Sequence, residues 1–132
     1  MECDLLKDRV SEEVETENGK KEVVWKDNPA LDVVNKIVED YGKLDILVTA
    51  FDEFPRMKKL TKMKENRWEK MRDINIFPVF HLLAAVREQF KKQNATEGTY
   101  AKVVMLTHMV GKAGMSMGTL YSAFKGGIIG LN

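Results

Sequence analysis

The chain has 132 residues, 44% of them hydrophobic and 31% charged, with a formal net charge of +1. That balance describes one globular domain at most, and it excludes a disordered chain, a membrane-spanning chain and one drawn to nucleic acid or anionic surfaces by bulk charge. Cys3 is the only cysteine, and the start of the chain, with Glu2, Asp4 and Lys7 around Leu5 and Leu6, does not read as a secretion signal. A reducing, cytoplasmic setting without a disulfide framework is therefore expected.

Residues 10–18 are acidic and polar and close on Gly19, which reads as a short surface helix or loop. Glu22 to Trp25 is a brief strand candidate. Asn28-Pro29 then offers a cap followed by proline at the first helical position, and Leu31, Val34, Val38 and Tyr41 recur at helical spacing before Gly42 stops the helix. Leu44 to Ala50 is a continuous apolar run, the pattern of a strand buried on both faces. A loop spans Phe51 to Thr61 and a helix begins near Glu65. Asn75 to Gln93 reads as a long amphipathic helix, with Pro78 tolerable only in its first turn. Ala101 to Thr107 is a second buried strand, His108 to Gly118 a loop rich in Met and Gly, and Thr119 onward a helix. Strands alternating with helices predict an α/β fold with a parallel sheet, here of three strands.

Tyr121 and Lys125 stand four residues apart in that last helix, so both side chains share one face. An ammonium beside a phenol stabilises the phenolate, which predicts a Tyr121 pKa lowered towards neutrality and suited to general acid–base work. His81 and His108 have no metal-ligand spacing with Cys3, and His81 reads as a structural residue on a helix. Lys58, Lys59, Lys62, Lys64, Arg67, Lys70 and Arg72 read as a solvated basic face. Met105, Met109, Met115 and Met117 read as packing for a mobile loop or a subunit interface.

Several features in order resemble the short-chain dehydrogenase/reductase family, nicotinamide-dependent oxidoreductases on a Rossmann fold. Tyr41 to Val48 is similar to the family's helix end and fourth strand. Trp68 with Asp73-Ile74-Asn75 is similar to the start of its long dimerisation helix, and Lys102 to Thr107 to its fifth strand. Tyr121 to Lys125 matches its YxxxK motif, with the Gly-Ile-Ile-Gly-Leu continuation. The resemblance implies Tyr121 as catalytic acid/base, Lys125 as the lysine that lowers its pKa and touches the cofactor ribose, and Asn75 as holder of a relay water. It also implies Asp27, by a loose alignment, near the adenine ring. Tyr121, Lys125 and Asp27 are thus the candidate contacts to NAD or NADP.

Three departures stand against these matches. The family's serine position holds His108. Its Asn-Asn-Ala-Gly after the fourth strand reads Thr49-Ala50-Phe51-Asp52, which adds bulk and negative charge beside the cofactor phosphates. No TGxxxGxG is present, so the glycine-rich turn that cradles a pyrophosphate is missing. Leu5 to Val10 resembles the family's lead-in to the first strand, and Ser11-Glu12-Glu13 its third helix, as if the first βαβ were deleted. The resemblance therefore implies a partial Rossmann-like three-layer domain over 1–132 that lacks the first βαβ and the C-terminal strands. The expected function is a catalytically silent subunit or fragment that pairs, as a homo- or hetero-oligomer, with a full-length paralogue through helices 75–93 and 121–132. The alternative is an active NAD(P)-dependent enzyme interconverting a ketone and a secondary alcohol, with His108 in the serine's place. A truncated product without independent function is the third reading.

Overall fold

The computed structural model describes strands 10–15 and 21–26 by their backbone, and residues 28–54 and 56–132 in full. Asp27, the weakest of the site candidates, and Cys3 lie outside the described residues.

Two strands, β1 (Val10–Glu15) and β2 (Lys21–Lys26), form an antiparallel hairpin in which Val10 stands opposite Lys26 and Glu15 opposite Lys21. Over 10–15 this corrects the expected helix or loop, and with it the third-helix likeness at Ser11–Glu13: the backbone there is extended and hydrogen-bonded to β2, and residues 16–18 of that expectation lie outside the described residues. The hairpin is a sheet of its own, so the expected three-stranded parallel sheet is a parallel pair plus a separate hairpin among the described residues.

Helix α1 (Pro29–Tyr41) begins as its sequence demands. The Asn28 side chain accepts from the Ala30 N–H at 3.1 Å, Pro29 takes a position whose N–H would have no partner, and Gly42 closes the helix at φ +82°. Asn28 is buried and its Nδ2 also donates to the His81 carbonyl at 3.2 Å, tying the start of α1 to a second helix. Ala30 and Val34 pack there with Ala85 and Val86, flanked by Leu31, Val38, Leu44, Leu47, Leu82 and Phe90.

Strand β3 (Ile46–Thr49) pairs in parallel with β4 (Lys102–Met105), Ile46 opposite Lys102 and Thr49 opposite Met105. Parallel strands need a crossover, and α2 (Glu65–Asn75) and α3 (Phe77–Glu97) supply it. Gln93 of α3 fixes where β3 starts: its amide donates to the Leu44 carbonyl and accepts from the Leu44 N–H, both at 2.9 Å. The expectation of one long helix from Asn75 fails at Ile76, whose φ of −127° interrupts the helix, and Pro78 falls in the first turn of α3. Asn75 and Trp68 therefore belong to α2.

Neither strand is buried on both faces, as their apolar runs had suggested. Leu47 and Thr49 face the helices, whereas Ile46, Val48 and Val104 are about half exposed (54%, 58% and 48%). Alternation puts residues two apart on one face, and helices among the described residues cover only the other. The chain closes with α4 (Val110–Ala113), inside the segment expected to be a loop, and α5 (Thr119–Gly130). These two touch backbone to backbone: a Cβ on Gly111 would stand 2.7 Å from the Lys125 carbonyl carbon and 2.8 Å from the Gly126 nitrogen. Only glycine allows that approach.

Candidate functional site

Tyr121 and Lys125 share the inner face of α5 and are almost fully buried, at 1% and 2% exposure. Tyr121 belongs to a cluster with Met71, Val110, Leu120 and Phe124, against which Met63, Ile76 and Met115 pack. Phe124 is held in turn by the Trp68 ring at 4.8 Å. The periodicity of α5 thus places the pair where the sequence predicts, on a rigid wall built by α2, α4 and α5.

What faces that wall is the segment after β3. The Lys125 ammonium donates to the Phe51 carbonyl at 2.8 Å and pairs with the Asp52 carboxylate at 2.8 Å. The Tyr121 hydroxyl donates to the same Asp52 oxygen at 2.7 Å. Phe54 packs edge-on against the Tyr121 ring at 5.1 Å. Between them, the Glu53 N–H donates to Asn75 Oδ1 at 3.3 Å while Asn75 Nδ2 donates to the Glu53 carbonyl at 3.4 Å. The Glu53 carboxylate pairs with Lys70 at 3.3 Å and Arg67 at 3.6 Å. Four consecutive residues are each tied to the site or to α2.

These contacts reverse the expected electrostatics. The Tyr121 pKa is pushed up to about 12 rather than down, by burial first and then by the Asp52 hydrogen bond and negative charge. For Asp52, partial burial pushes the carboxyl up. Hydrogen bonds from Lys125 and Tyr121, with the Lys125 charge, outweigh this and hold it below the usual carboxylate range. The cation that should favour a phenolate is already paired with an anion, and that anion favours the neutral phenol. Lys125 lies 5.3 Å from the Tyr121 ring, but its charge is spent on Asp52.

The other candidates are arranged unevenly. Asn75 is fully buried and adjoins the site, yet its amide is bonded to Glu53 and, through Nδ2, to the Met71 carbonyl at 3.0 Å. His108 lies beside Tyr121 with ring centroids 5.7 Å apart, and accepts the Val110 N–H on Nδ1 at 3.2 Å. That bond leaves Nε2 to carry the proton of the neutral ring. Thr107, its neighbour, turns the other way and donates to the Lys125 carbonyl at 2.8 Å. A cavity of about 510 Å³ opens beside His108, between Met105, Met109, Lys112, Ile128 and Ile129, and neither Tyr121 nor Lys125 lines it. His81 is buried at 2% exposure between the Phe77 and Phe80 rings, well inside α3.

Asp52 is the site residue whose contacts the sequence did not disclose. Its place at the family's glycine position was visible, but a partner 69 residues away was not. A nicotinamide dinucleotide against α5 would meet a Lys125 ammonium already held by the Phe51 carbonyl and the Asp52 carboxylate.

The short chain dehydrogenase family model matches residues 12–132, and the chain belongs to that family. It is 32% identical over 100 residues to the 3-oxoacyl-[acyl-carrier-protein] reductase FabG of Thermotoga maritima, covering 76% of this chain and 38% of that one. Among solved structures it is similar to ElxO with NADP bound (TM-score 0.71, 25% identity, 78% of this chain and 40% of that one). It is similar also to carveol dehydrogenase from Mycobacterium avium in complex with NAD (TM-score 0.70, 29% identity, 77% and 35%). The chain spans about two fifths of the length of these relatives. Its partial Rossmann-like α/β architecture agrees with theirs.

Proposed function

We propose that this chain is a catalytically silent short-chain dehydrogenase-like subunit, a single domain in the cytoplasm that associates with an active full-length member of its family. The observation that carries this reading is the Asp52 carboxylate, bonded at once to Tyr121 and Lys125. Acid–base work near neutral pH needs a group that can gain and lose a proton there, and a phenol pushed up to about 12 holds its proton throughout. Lys125 is engaged by two protein oxygens, those of Phe51 and Asp52, so a ribose would compete with both for its ammonium. NAD or NADP, bound by the solved relatives ElxO and carveol dehydrogenase, is accordingly a ligand of the partner rather than of this chain alone.

Helices α3 and α5, which hold most of the expected segments 75–93 and 121–132, are the proposed contact. Phe80 on the first is 38% exposed although apolar, and Ala123 on the second faces solvent. The test is to mix the purified chain with a full-length family member and follow both sedimentation and NAD(P)H-dependent ketone reduction. A stable mixed complex, with no turnover by this chain alone, is expected. Turnover by the chain alone that disappears in Tyr121→Phe would overturn the proposal.

A further inference from the structure

We propose that the cavity walled by Arg56, Lys58, Lys62, Lys64 and Arg67 binds a small phosphate-bearing anion. Five cationic residues line a cavity of about 170 Å³, with Met63 and Asn66 as the remaining lining and no carboxylate among them. In a chain whose net charge is only +1, this is a local concentration of charge, not a reflection of composition. Among the described residues Arg67 has a carboxylate in ion-pair range, Glu53 at 3.6 Å, and the other four cations have none. Like charges held together raise one another's energy, and an anion between them removes that cost.

The backbone holds the cluster in place. Leu60–Lys62 forms one 3₁₀ turn, with the Lys62 N–H donating to the Lys59 carbonyl at 2.9 Å and the Met63 N–H to the Leu60 carbonyl at 3.0 Å. The Lys58 N–H donates to the Met117 carbonyl at 3.0 Å, tying the segment to the turn before α5. Lys64 precedes α2 without a side-chain cap, so the positive end of that helix adds to the same region. Arginine supplies planar forks that match phosphate oxygens, and lysine a compact charge. The volume lies below the roughly 300–1,000 Å³ of sites for drug-sized ligands. It suits one phosphate or diphosphate group rather than a whole dinucleotide. The cavity shares no lining residue with Tyr121 and Lys125, so it stands or falls apart from the silent-subunit reading.

The test is calorimetric titration of the full chain with inorganic pyrophosphate, at low and at physiological salt. One-site binding that weakens with salt is expected. The double variant Lys58→Gln/Lys62→Gln should lose at least about tenfold in affinity (about 1.4 kcal/mol), with an unchanged circular dichroism spectrum. The control Lys91→Gln/Lys92→Gln, on the exposed end of α3, should bind as the parent does. ADP identifies the source: tighter binding than pyrophosphate means the phosphate arrives on a nucleotide, and equal binding means a free anion. No pyrophosphate binding at low salt, or equal loss in both double variants, overturns the proposal.

Discussion

Asp52 decides the chemistry of the site because one carboxylate oxygen meets both groups that could move a proton. With the neutral phenol favoured in the fold, Tyr121 binds its proton more tightly folded than unfolded. Its folded pKa of about 12 lies above the ordinary 10. A raised pKa stabilises the fold fully below pH 10, and that contribution disappears as pH rises towards 12. Stability from urea titrations should therefore fall between pH 10 and 12 more steeply in the parent than in Tyr121→Phe, by roughly 2 kcal/mol across the window. Asp52 works in the opposite sense. Its lowered pKa favours the fold above the ordinary carboxylate pKa, and this is lost as pH falls through the folded value. Asn75 has a different task. Truncation in Asn75→Ala removes the amide's bonds to the Glu53 backbone and its added bond to the Met71 carbonyl, which should cost about 1–3 kcal/mol in chemical denaturation. The sequence disclosed Tyr121 and Lys125 as neighbours because a helix has a fixed period. It could not disclose the Asp52 contact, which depends on how the segment after β3 folds back over α5.

At the scale of elements, the terminators were the legible part. Asn28, Pro29 and Gly42 mark α1 because a cap, a missing N–H and a left-handed φ are local requirements. Replacing the cap in Asn28→Ala removes the bond to Ala30 and the one to His81, and should cost about 1–2 kcal/mol in thermal unfolding. The break at Ile76 and the hairpin of β1 and β2 were less legible, since an acidic stretch has no period that separates a surface helix from a paired strand. The contact of α4 with α5 was also hidden, because a close backbone approach leaves no trace but a glycine. Gly111→Ala would drive a Cβ into the backbone at Lys125 and Gly126. It should destabilise the chain by about 1–3 kcal/mol, read as a lowered Tm, and displace Lys125 as it does so.

Taken whole, the molecule sets its helices against one face of a two-stranded parallel sheet and leaves Ile46, Val48, Val104 and Leu106 in the open. A continuous apolar run in the sequence meant a strand, but not that both faces would be covered. Such a face, next to strand edges unpaired among the described residues, favours association. Sedimentation of the isolated chain should show concentration-dependent self-association that Val48→Lys reduces. In the interior, the Asp52 carboxylate holds Tyr121 and Lys125 together and keeps the phenol protonated. This is tested by a pH titration of phenolate absorbance in a Tyr41→Phe/Tyr100→Phe background, which removes the two exposed tyrosines and leaves Tyr121 alone. Ionisation near 12 is expected in that background, and ionisation at lower pH once Asp52→Gly is added. Ionisation near neutral pH with Asp52 in place would contradict this.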